Sequence, residues 1–516
     1  MAIYVGQFVI IIILALLCAS SYSNDNAVPS QNISSPSFAR KDFPPDFLFG
    51  ASGSAYQFEG AANKDGRGPS IWDTYSRNHS ERISDHTTGD IAIDFYHRYK
   101  EDIKLMKYEG MDAFRFSISW SRILPYGKVS KGINQQGIAF YKNLIDELIA
   151  NGIIPTVTLF HWDVPQALED EYQGFLSPLI VDDFRDYADL CFREFGKKVK
   201  LFTSINEPWT FASKGYDSGD FAPGRCSPFM NSAIGCLGGD SATEPYIVAH
   251  HILLAHAAAA RLYKQKYQAI QKGEIGIVLV SHWFEPYSST QEDKKAAQQA
   301  IDFMLGWALH PLTYGHYPKS MRSLVGERLP KFTPDQSEMV KGSIDFLGLN
   351  YYTARYASYI SSPNKVNISY TFDSQANLTS KKDGQLIGEA TGSVEFFVVP
   401  SGLKKLLLYT KQNYKNPTIY ITECGMSSLH VTSAVQEGVN DIQRVKFYRS
   451  HISALKDAME LGGNVKGFFA WSFFDNYEWS SGYTSRFGLN FIDYKNGLKR
   501  YPKKSAIWMK KFLQKN

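Results

Sequence analysis

The chain has 516 residues, of which 44% are hydrophobic and 21% charged, with a formal net charge of +4. A chain of this length can bury a large core, and it contains no internal linker, low-complexity tract or charge block that would divide it into several domains. Because the net charge is small and the basic residues are not clustered, nothing in the composition points to nucleic acid as a partner.

The first 23 residues are typical of a secretory signal peptide. Ile10 to Leu17 is an apolar run within a slightly longer hydrophobic segment, which is too short to span a bilayer and is followed by small residues through Ser23. No Lys or Arg precedes the run, so an uncleaved anchor is the alternative. Residues 24–42 are polar and rich in Ser, Pro and Asn, which predicts a disordered lead-in. After cleavage, no membrane association is expected.

Sequons and cysteines agree with the secretory route. Cys226 and Cys236 flank a Gly-containing loop and are predicted to form a disulfide, whereas Cys191 is predicted to be a core thiol. The C-terminus has no Lys-Asp-Glu-Leu-type retention signal, so we expect export to the cell wall or extracellular space, or routing to a vacuole. Four residues begin N-glycosylation sequons, namely Asn32, Asn78, Asn367 and Asn377.

Eight short apolar runs, each ending in polar or aromatic residues, follow the lead-in and predict strands. They cover residues 47–52, 113–120, 154–161, 201–207, 276–282, 344–352, 419–423 and 465–472. Helical patterns lie between them, at 96–106, 141–149, 180–195, 244–267, 403–409 and 443–461. The clearest one repeats every 3.6 residues from Tyr141 to Ile149 and ends at Asn151-Gly152, a typical helix C-terminus.

Eight strands that alternate with helices predict an α/β fold, a single (β/α)8 TIM barrel over residues 43–516, because an open sheet of this size would leave edges. A doubly wound open sheet is the alternative. In such a barrel, chemistry lies at the C-terminal ends of the strands. Loops of about forty residues after Glu207 and about fifty after Tyr352 are expected to carry specificity. The side chains predicted to converge on one pocket are Gln57, Arg115, His161, Asn206, Glu207, Tyr352, Glu423 and Trp471.

Two of these strands end in a glutamate that a chain-breaking residue follows, and these glutamates are Glu207 and Glu423. Glycoside hydrolysis needs two carboxyl groups, because one protonates the leaving oxygen while the other supports an oxocarbenium-like transition state. Arg115 and Tyr352 can keep one carboxylate ionised, and the other would then have a raised pKa and act as a general acid. A lone strand-end glutamate is more often a solvated loop residue, so the prediction rests on the pair.

The segment from Trp471 to Trp479 supplies what a sugar pocket needs, an apolar platform together with polar groups that bind hydroxyls. A core aromatic cluster is the simpler interpretation of this segment. It explains Phe473 and Phe474, but it does not explain Glu478 beside an indole.

Seven motifs together resemble the plant β-glucosidases of glycoside hydrolase family 1, and the resemblance runs from about Phe43 to Leu513. The motifs are Ser54–Gly60, Arg67–Asp73, Phe116–Arg122, His161–Gln166, Asn206–Pro208, Asn350–Tyr352 and Trp471–Trp479. The resemblance implies a retaining mechanism, with Glu423 as nucleophile and Glu207 as acid/base, and no metal or organic cofactor. Retention requires the two carboxyl groups to be roughly 5–5.5 Å apart.

The resemblance also assigns the residues that bind the sugar. Arg115 and Tyr352 match groups that orient and tune the nucleophile, and Trp471 matches the stacking platform. The positions that match contacts to the substrate hydroxyls or the pocket rim are Gln57, His161, Asn206, Tyr352, Glu478, Trp479 and Phe487.

Three positions depart from the family pattern. Cys424 follows the nucleophile where Asn is usual, which either is tolerated or alters nucleophile positioning, and Ser204 replaces a Thr. Plant relatives commonly have a tryptophan against the aglycone five residues before Pro400, where this chain has Glu395. A carboxylate there would suit a polar or cationic aglycone, such as an alkaloid amine, unless the loop turns it to solvent. Trp209 is a second candidate for the aglycone side.

The prediction is therefore a retaining β-glucosidase that acts on a small-molecule glucoside of plant specialised metabolism. A thioglucosidase is disfavoured because Glu207 is intact. A transglucosidase on the same site and a catalytically silent β-glucoside-binding protein are the alternatives, and homo-oligomerisation is left open.

Overall fold

The protein is described here from a computed structural model, which covers residues 38–361, 366–429 and 431–514. The predicted signal peptide, most of the lead-in and the sequon residue Asn32 lie outside the described residues. Within that part of the chain, no helix is both long and apolar enough to cross a membrane.

Eight parallel strands close into a barrel in simple chain order, with β1 hydrogen-bonded to both β2 and β8. Gly50 is paired with Ala113 on one side and with Phe469 on the other. The (β/α)8 prediction is confirmed, and closure leaves this sheet without an edge. The strands are β1 (Leu48–Ser52), β2 (Ala113–Ser117), β3 (Ile154–Phe160), β4 (Leu201–Asn206), β5 (Glu274–Val280), β6 (Phe346–Tyr351), β7 (Ile419–Cys424) and β8 (Val465–Trp471).

Helices follow the strands and cover the outside of the barrel. The longer ones are Phe95–Glu109, Gln135–Ala150, Ile180–Phe195, Glu244–Lys266, Gln291–Ile301, Pro400–Asn413, Ile442–Glu460 and Lys504–Leu513. Shorter α-helices are Ala55–Phe58, Ile71–Asn78, Trp120–Ile123, Gln166–Tyr172, Pro208–Tyr216, Gln268–Gln271, Trp307–Tyr314, Lys319–Val325, Pro334–Val340, Tyr370–Asp373 and Val435–Gly438.

The helix Gln135–Ala150 shows how the sequence pattern produces the fold. The side chain of Asn134 accepts a hydrogen bond from the Gln136 amide and so caps the first turn. Tyr141 and Leu148 are buried against the barrel, whereas Ile149, also part of the predicted apolar face, is 45% exposed. Each fully buried large apolar side chain stabilises the fold by about 1.5–3 kcal/mol, so a Leu148→Ala change would leave a costly cavity.

The loop predicted after Glu207 is wrong in its first part, because the helix Pro208–Tyr216 begins directly after the glutamate. Proline lacks an N–H that the first helical position does not need, so Pro208 ends the strand and also starts the helix. The remaining connection carries the predicted disulfide between Cys226 and Cys236.

The insertion after β6 is also more ordered than a plain loop. Its strand Ala354–Tyr359 pairs with Trp283–Pro286 and with Ala376–Thr379 in a three-stranded sheet. Four two-residue strands form two small antiparallel ladders further along, and these strands are Lys381–Lys382, Gln385–Leu386, Glu389–Ala390 and Phe397–Val398. The insertion thereby carries side chains to the mouth of the barrel.

Three further predictions can be compared with the structure. Phe38 packs edge-on against Phe512, and Arg40 is buried, so the folded part starts five residues before the predicted boundary at residue 43. Cys191 is a fully buried free thiol, as predicted. Of the described sequon residues, Asn78 and Asn377 are exposed and Asn367 is half-buried.

Candidate active site

The C-terminal ends of the strands enclose a cavity of about 720 Å³. This volume lies within the range of roughly 300–1,000 Å³ that is usual for small-molecule sites. The cavity brings together most of the predicted site residues, and its inner lining includes His161, Glu207, Tyr352, Glu423, Trp471, Glu478, Trp479 and Phe487. Gln57, Arg115 and Asn206 are fully or almost fully buried and hydrogen-bond to members of that lining.

Glu423 is held by two strong donors. Nη1 of Arg115 lies 2.6 Å from Oε1, and the hydroxyl of Tyr352 donates to Oε2 at 2.6 Å. Burial raises the pKa of Glu423, and the charge of Arg115 and the hydrogen bond from Tyr352 act against that rise. Charge-assisted bonds of this kind favour the ionised form. The two donors therefore orient Glu423 and favour its ionised form, which is the form that a nucleophile requires.

Glu207 lies in a different environment, because its donors are neutral. Nδ2 of Asn350 donates to Oε1 at 2.6 Å and the hydroxyl of Thr210 donates to Oε2 at 2.6 Å. Burial, and next the negative charge of Glu423, raise the pKa of Glu207 to about 8. Of the two strand-end glutamates, Glu207 therefore has the environment that lets it keep its proton near neutral pH, as a general acid must.

The backbone at Glu207 is also unusual, with φ at +46°. A non-glycine residue in this left-handed region costs of the order of 1 kcal/mol or more, and such strain collects at functional sites. The strand β4 ends at Asn206 and the helix begins at Pro208, so Glu207 alone forms the turn between them. Its side chain is thereby directed into the cavity instead of along the strand.

Asn350 and Thr210 both donate to Glu207, and the sequence analysis gave neither a role, although Asn350 begins one of the seven motifs. Asn350 lies on β6 in register with Glu423 on β7, and its Oδ1 accepts a hydrogen bond from Thr422. Thr210 follows Glu207 by three residues, so the first turn of the helix brings its hydroxyl to the carboxyl group. The sequence contained a signal for each residue. Asn350 is an amide near the end of a predicted strand, and Thr210 follows Glu207 at the i, i+3 spacing of a helix start.

Unpaired polar atoms mark the inner end of the cavity. Within the part of the chain that the structure describes, Oε1 of Glu478 and Nδ1 of His161 are buried without a hydrogen-bond partner. Burial raises the pKa of Glu478 to about 8 and, with Arg115 nearby, lowers that of His161 well below its usual range. His161 is therefore neutral. Such atoms are costly unless a ligand pairs with them, and sugar hydroxyls can do so.

A hydrogen-bonded network holds these groups in place. Nδ2 of Asn206 donates to Nε2 of His161 at 3.1 Å, which leaves the imidazole proton on Nδ1, while Oδ1 of Asn206 accepts from Arg115 at 2.7 Å. On the other side, Nε2 of Gln57 lies 3.3 Å from Oε2 of Glu478. The inner polar groups thus form a connected and rigid set.

Aromatic rings supply the apolar walls. Trp471 lies nearly parallel to His161 with 5.9 Å between ring centroids, and Phe487 meets Tyr352 edge-on at 6.1 Å. Trp479 packs against Trp162 at 4.6 Å. These rings line the cavity, so they offer the flat surface that the C–H face of a sugar needs.

The outer half of the cavity has a different character. Trp209 lines it and donates its indole N–H to the Tyr370 hydroxyl at 2.5 Å. Glu395 lines it too, but its side chain is 55% exposed and lies 3.7 Å from Nζ of Lys214, which offsets its charge. The adjacent Phe396 stacks on Tyr352, with 5.1 Å between centroids and an interplanar angle of 12°. The aromatic wall here is therefore Phe396, one residue after the predicted position.

Cys424 lies directly behind the nucleophile. It is fully buried, and burial raises the pKa of its thiol well above the usual value, so the group is neutral. Arg115 and Tyr352 hold Glu423 without any help from this position. The thiol in place of an amide is therefore compatible with an oriented carboxylate.

Two buried carboxyl groups with different hydrogen-bond donors, at the mouth of an eight-stranded barrel, are the arrangement that glycoside hydrolysis requires. The family model "Glycosyl hydrolase family 1" matches residues 39–516. The chain belongs to this family and is a glycoside hydrolase.

The curated relatives agree with this assignment over almost their whole length. Furcatin hydrolase of Viburnum furcatum is 57% identical over 96% of this chain and 90% of its own. Raucaffricine-O-beta-D-glucosidase of Rauvolfia serpentina is 51% identical over 93% of this chain and 92% of its own. Among solved structures, a rice beta-glucosidase mutant in a covalent complex with Glc matches with a TM-score of 0.90 and 47% identity, over 92% of this chain and all of the other.

Proposed function

We propose that the protein is a retaining β-glucosidase that cleaves its substrate by double displacement. The observation that carries this proposal is the unequal environment of the two carboxyl groups. Glu423 accepts from a guanidinium and a phenol, whereas the donors to Glu207 among the described residues are an amide and a hydroxyl. An ionised group and a protonated group can therefore coexist in one pocket near neutral pH.

In the first step, a carboxylate oxygen of Glu423 attacks the anomeric carbon as the bond from that carbon to the aglycone oxygen breaks. Glu207 gives its proton to the departing oxygen, so the aglycone leaves as a neutral alcohol or phenol. In the second step, Glu207 removes a proton from water, the water oxygen attacks the anomeric carbon, and Glu423 leaves. Both displacements invert the anomeric carbon, so the product keeps the β configuration.

The residues at the inner end suit glucose in particular. Oε1 of Glu478 can bind a hydroxyl, and His161 offers an N–H to a further one. The amide of Gln57 donates to Asn476 and the Tyr477 carbonyl and lies behind Glu478, outside the cavity lining. The relative in the rice structure holds Glc covalently, which supports glucose as the unit bound here. Hydrogen bonds to the hydroxyls that strengthen in the transition state add to catalysis.

For the aglycone we propose a polar plant specialised metabolite. The names of two relatives, furcatin hydrolase and raucaffricine-O-beta-D-glucosidase, support the class. Lys214 offsets the charge of Glu395, so Glu395 is not a free carboxylate and does not support the expectation of a cationic aglycone. The cavity has room for an aglycone beyond the sugar, and its outer lining mixes aromatic and charged side chains.

The test is to follow the hydrolysis of an aryl β-glucoside by proton NMR within the first minutes. A retaining enzyme releases β-glucose first, and the α-anomer appears later by mutarotation. Initial release of α-glucose would overturn the retaining mechanism. Binding of the glucoside without release of either anomer would overturn the proposed activity as a whole.

We further propose that the chain follows the secretory route to the cell wall or a vacuole. The N-terminal apolar run, the sequons and the Cys226–Cys236 disulfide support this route. Expression in plant cells followed by a glycosidase digest tests it. A mature chain that begins near Asn24 and loses mass on digestion is expected, and an intact, unglycosylated N-terminus would contradict the proposal.

A further inference from the structure

The outer half of the cavity contains an arginine that forms no ion pair within the described residues. Arg355 lies on the strand Ala354–Tyr359 of the insertion, lines the cavity and is half-buried. Its Nη2 donates a hydrogen bond to the carbonyl of Glu395 at 2.8 Å. Within the described residues, no carboxylate oxygen lies within 4.0 Å of its guanidinium, whereas those of Arg115, Arg122 and Arg328 are each paired.

The neighbouring cation differs in this respect. Lys214 lies 3.5 Å from Asp220 and 3.7 Å from Glu395, so its charge is shared between two carboxylates. An arginine carries five N–H donors in a planar fork, and one bond to a carbonyl leaves most of that fork without a protein acceptor. A half-buried guanidinium in this state has lost part of its hydration, and no ion pair compensates for that cost.

The pKa values near Arg355 also reflect its burial and its positive charge. Burial lowers the pKa of Arg355 even though Glu395 is close enough to act in the opposite direction. The charges of Arg355 and Lys214 also add to burial in lowering the pKa of His282 to about 3, so this imidazole is neutral. His282 packs near both Trp209 and Phe396, with ring centroids 6.5 Å and 6.3 Å away. These aromatic side chains and Arg355 therefore line the same outer part of the cavity.

We infer that Arg355 is a specificity-determining residue that binds a carboxylate on the aglycone of the preferred substrate. This inference rests on the proposed β-glucosidase activity and names the chemical class of its aglycone, an aromatic or alicyclic acid. Its ring would lie between Phe396 and Trp209, and its carboxylate would accept two N–H bonds from the free edge of the guanidinium. Because Glu395 is engaged with Lys214, its charge opposes such a ligand only weakly.

Three synthetic glucosides test the inference directly. Each has a phenol aglycone with a two-carbon arm in the para position, which ends in a carboxylate, a carboxamide or an ammonium group. The arm insulates the phenol, so the three leaving groups are equally good and differ only in charge. We expect the wild-type protein to hydrolyse the carboxylate roughly tenfold better in kcat/KM than the amide, with the ammonium compound poorest.

The variant Arg355→Gln should remove this preference. It should lower kcat/KM for the carboxylate roughly tenfold, mainly through KM, and change the amide less than twofold, while Arg355→Lys should restore part of the loss. Arg185→Gln, on the outside of the barrel, is the control and should change none of the three. A fall of equal size for all three glucosides in Arg355→Gln would assign Arg355 a structural role and overturn the inference.

The wild-type comparison does not depend on any variant folding. Equal rates for the carboxylate and the amide, or a preference for the ammonium compound, would overturn the inference while leaving the β-glucosidase activity in place. Failure to hydrolyse any of the three, and 4-nitrophenyl β-glucoside as well, would instead count against the proposed function on which the inference rests.

Discussion

The two halves of the cavity are built on different principles. At the inner end, polar side chains on the strand ends of the barrel are buried and tied together, as Arg115 is to Glu423, Asn206 and Thr158. At the outer end, Glu395 and Arg355 lie on the insertion after β6, and Lys214 lies on the helix Pro208–Tyr216. All three are partly exposed and share few hydrogen bonds. The inner half is preorganised for one reaction, whereas the outer half can vary without disturbing it.

The largest expected effect lies at the inner end. Glu423→Gln removes the nucleophile but keeps the size of the side chain, so kcat should fall by at least about 10⁴-fold. Calorimetric titration should still detect glucose, because the hydroxyl-binding groups remain. The exposed Glu437 offers a control, and Glu437→Gln should have wild-type kinetics. Residual turnover above about one hundredth of wild type, in protein free of contaminating glucosidase, would mean that Glu423 does not form the intermediate.

Glu207→Gln should show an effect that depends on the leaving group. Removal of a general acid typically costs 10²–10⁴-fold, and we expect this loss for an alkyl glucoside, whose oxygen must be protonated. A dinitrophenyl glucoside needs no proton to leave, so its first step should be much less affected. Glu169→Gln, a change of a glutamate outside the cavity, should alter neither rate. Equal losses of rate with the alkyl and the dinitrophenyl glucoside would mean that Glu207 is not the general acid.

The pH dependence of kcat/KM should report the pKa of Glu207 and the effect of the neutral groups that donate to it. Protonated Glu207 is the active form in the first step and its pKa is raised to about 8, so kcat/KM should fall as the pH rises through about 8. The Thr210 hydroxyl stabilises the ionised form and lowers this pKa, so Thr210→Val should move the alkaline limb to higher pH. Ser213→Ala, one turn later, should leave the limb in place. An alkaline limb that does not move in Thr210→Val would contradict the assignment of this limb to the deprotonation of Glu207.

A change in the outer half should alter selectivity and spare the chemistry. Phe396→Ala removes an aromatic wall, so kcat/KM for an aryl glucoside should fall roughly threefold to tenfold. Inhibition by free glucose, which needs only the inner half, should stay the same. Phe372→Ala, in the same insertion but outside the cavity lining, is the matched control. If glucose binding weakens as much as aryl glucoside hydrolysis, the two halves are not separable.

The smallest effect is expected at Cys424. Cys424→Ala and Cys191→Ala each remove a fully buried thiol and should each cost roughly 1 kcal/mol of unfolding free energy, measured by urea denaturation. Because Arg115 and Tyr352 orient Glu423, activity per folded molecule should change by less than about threefold in both. A much larger loss in Cys424→Ala alone would show that the thiol positions the nucleophile.

The same contrast explains what could be predicted from the sequence. Short apolar runs that alternate with segments of 3.6-residue periodicity predicted the barrel. The runs are easy to recognise because a parallel strand that is buried on both faces is almost continuously apolar. Strand ends then placed Arg115, Glu207, Tyr352 and Glu423 around one pocket without any knowledge of distances. These inferences rest on geometry that all barrels of this kind share.

The outer half was not predictable in the same way. The conformation of the insertion depends on pairing between Trp283–Pro286, Ala354–Tyr359 and Ala376–Thr379, which are far apart in sequence. No local pattern reports that pairing, so counting residues from Pro400 selected Glu395, whereas the ring of Phe396 forms the wall. The ion pair between Lys214 and Glu395 likewise joins the helix Pro208–Tyr216 to the insertion after β6.

The most direct test of the account is to trap the intermediate. The protein is incubated with an activated 2-deoxy-2-fluoro-β-glucoside, which forms the glycosyl-enzyme quickly and releases it slowly, and is then analysed by intact-mass spectrometry and peptide mapping. The account predicts a single fluoroglucosyl adduct on Glu423. An adduct on Glu207 or elsewhere, or none on folded protein that still binds glucose, would contradict it.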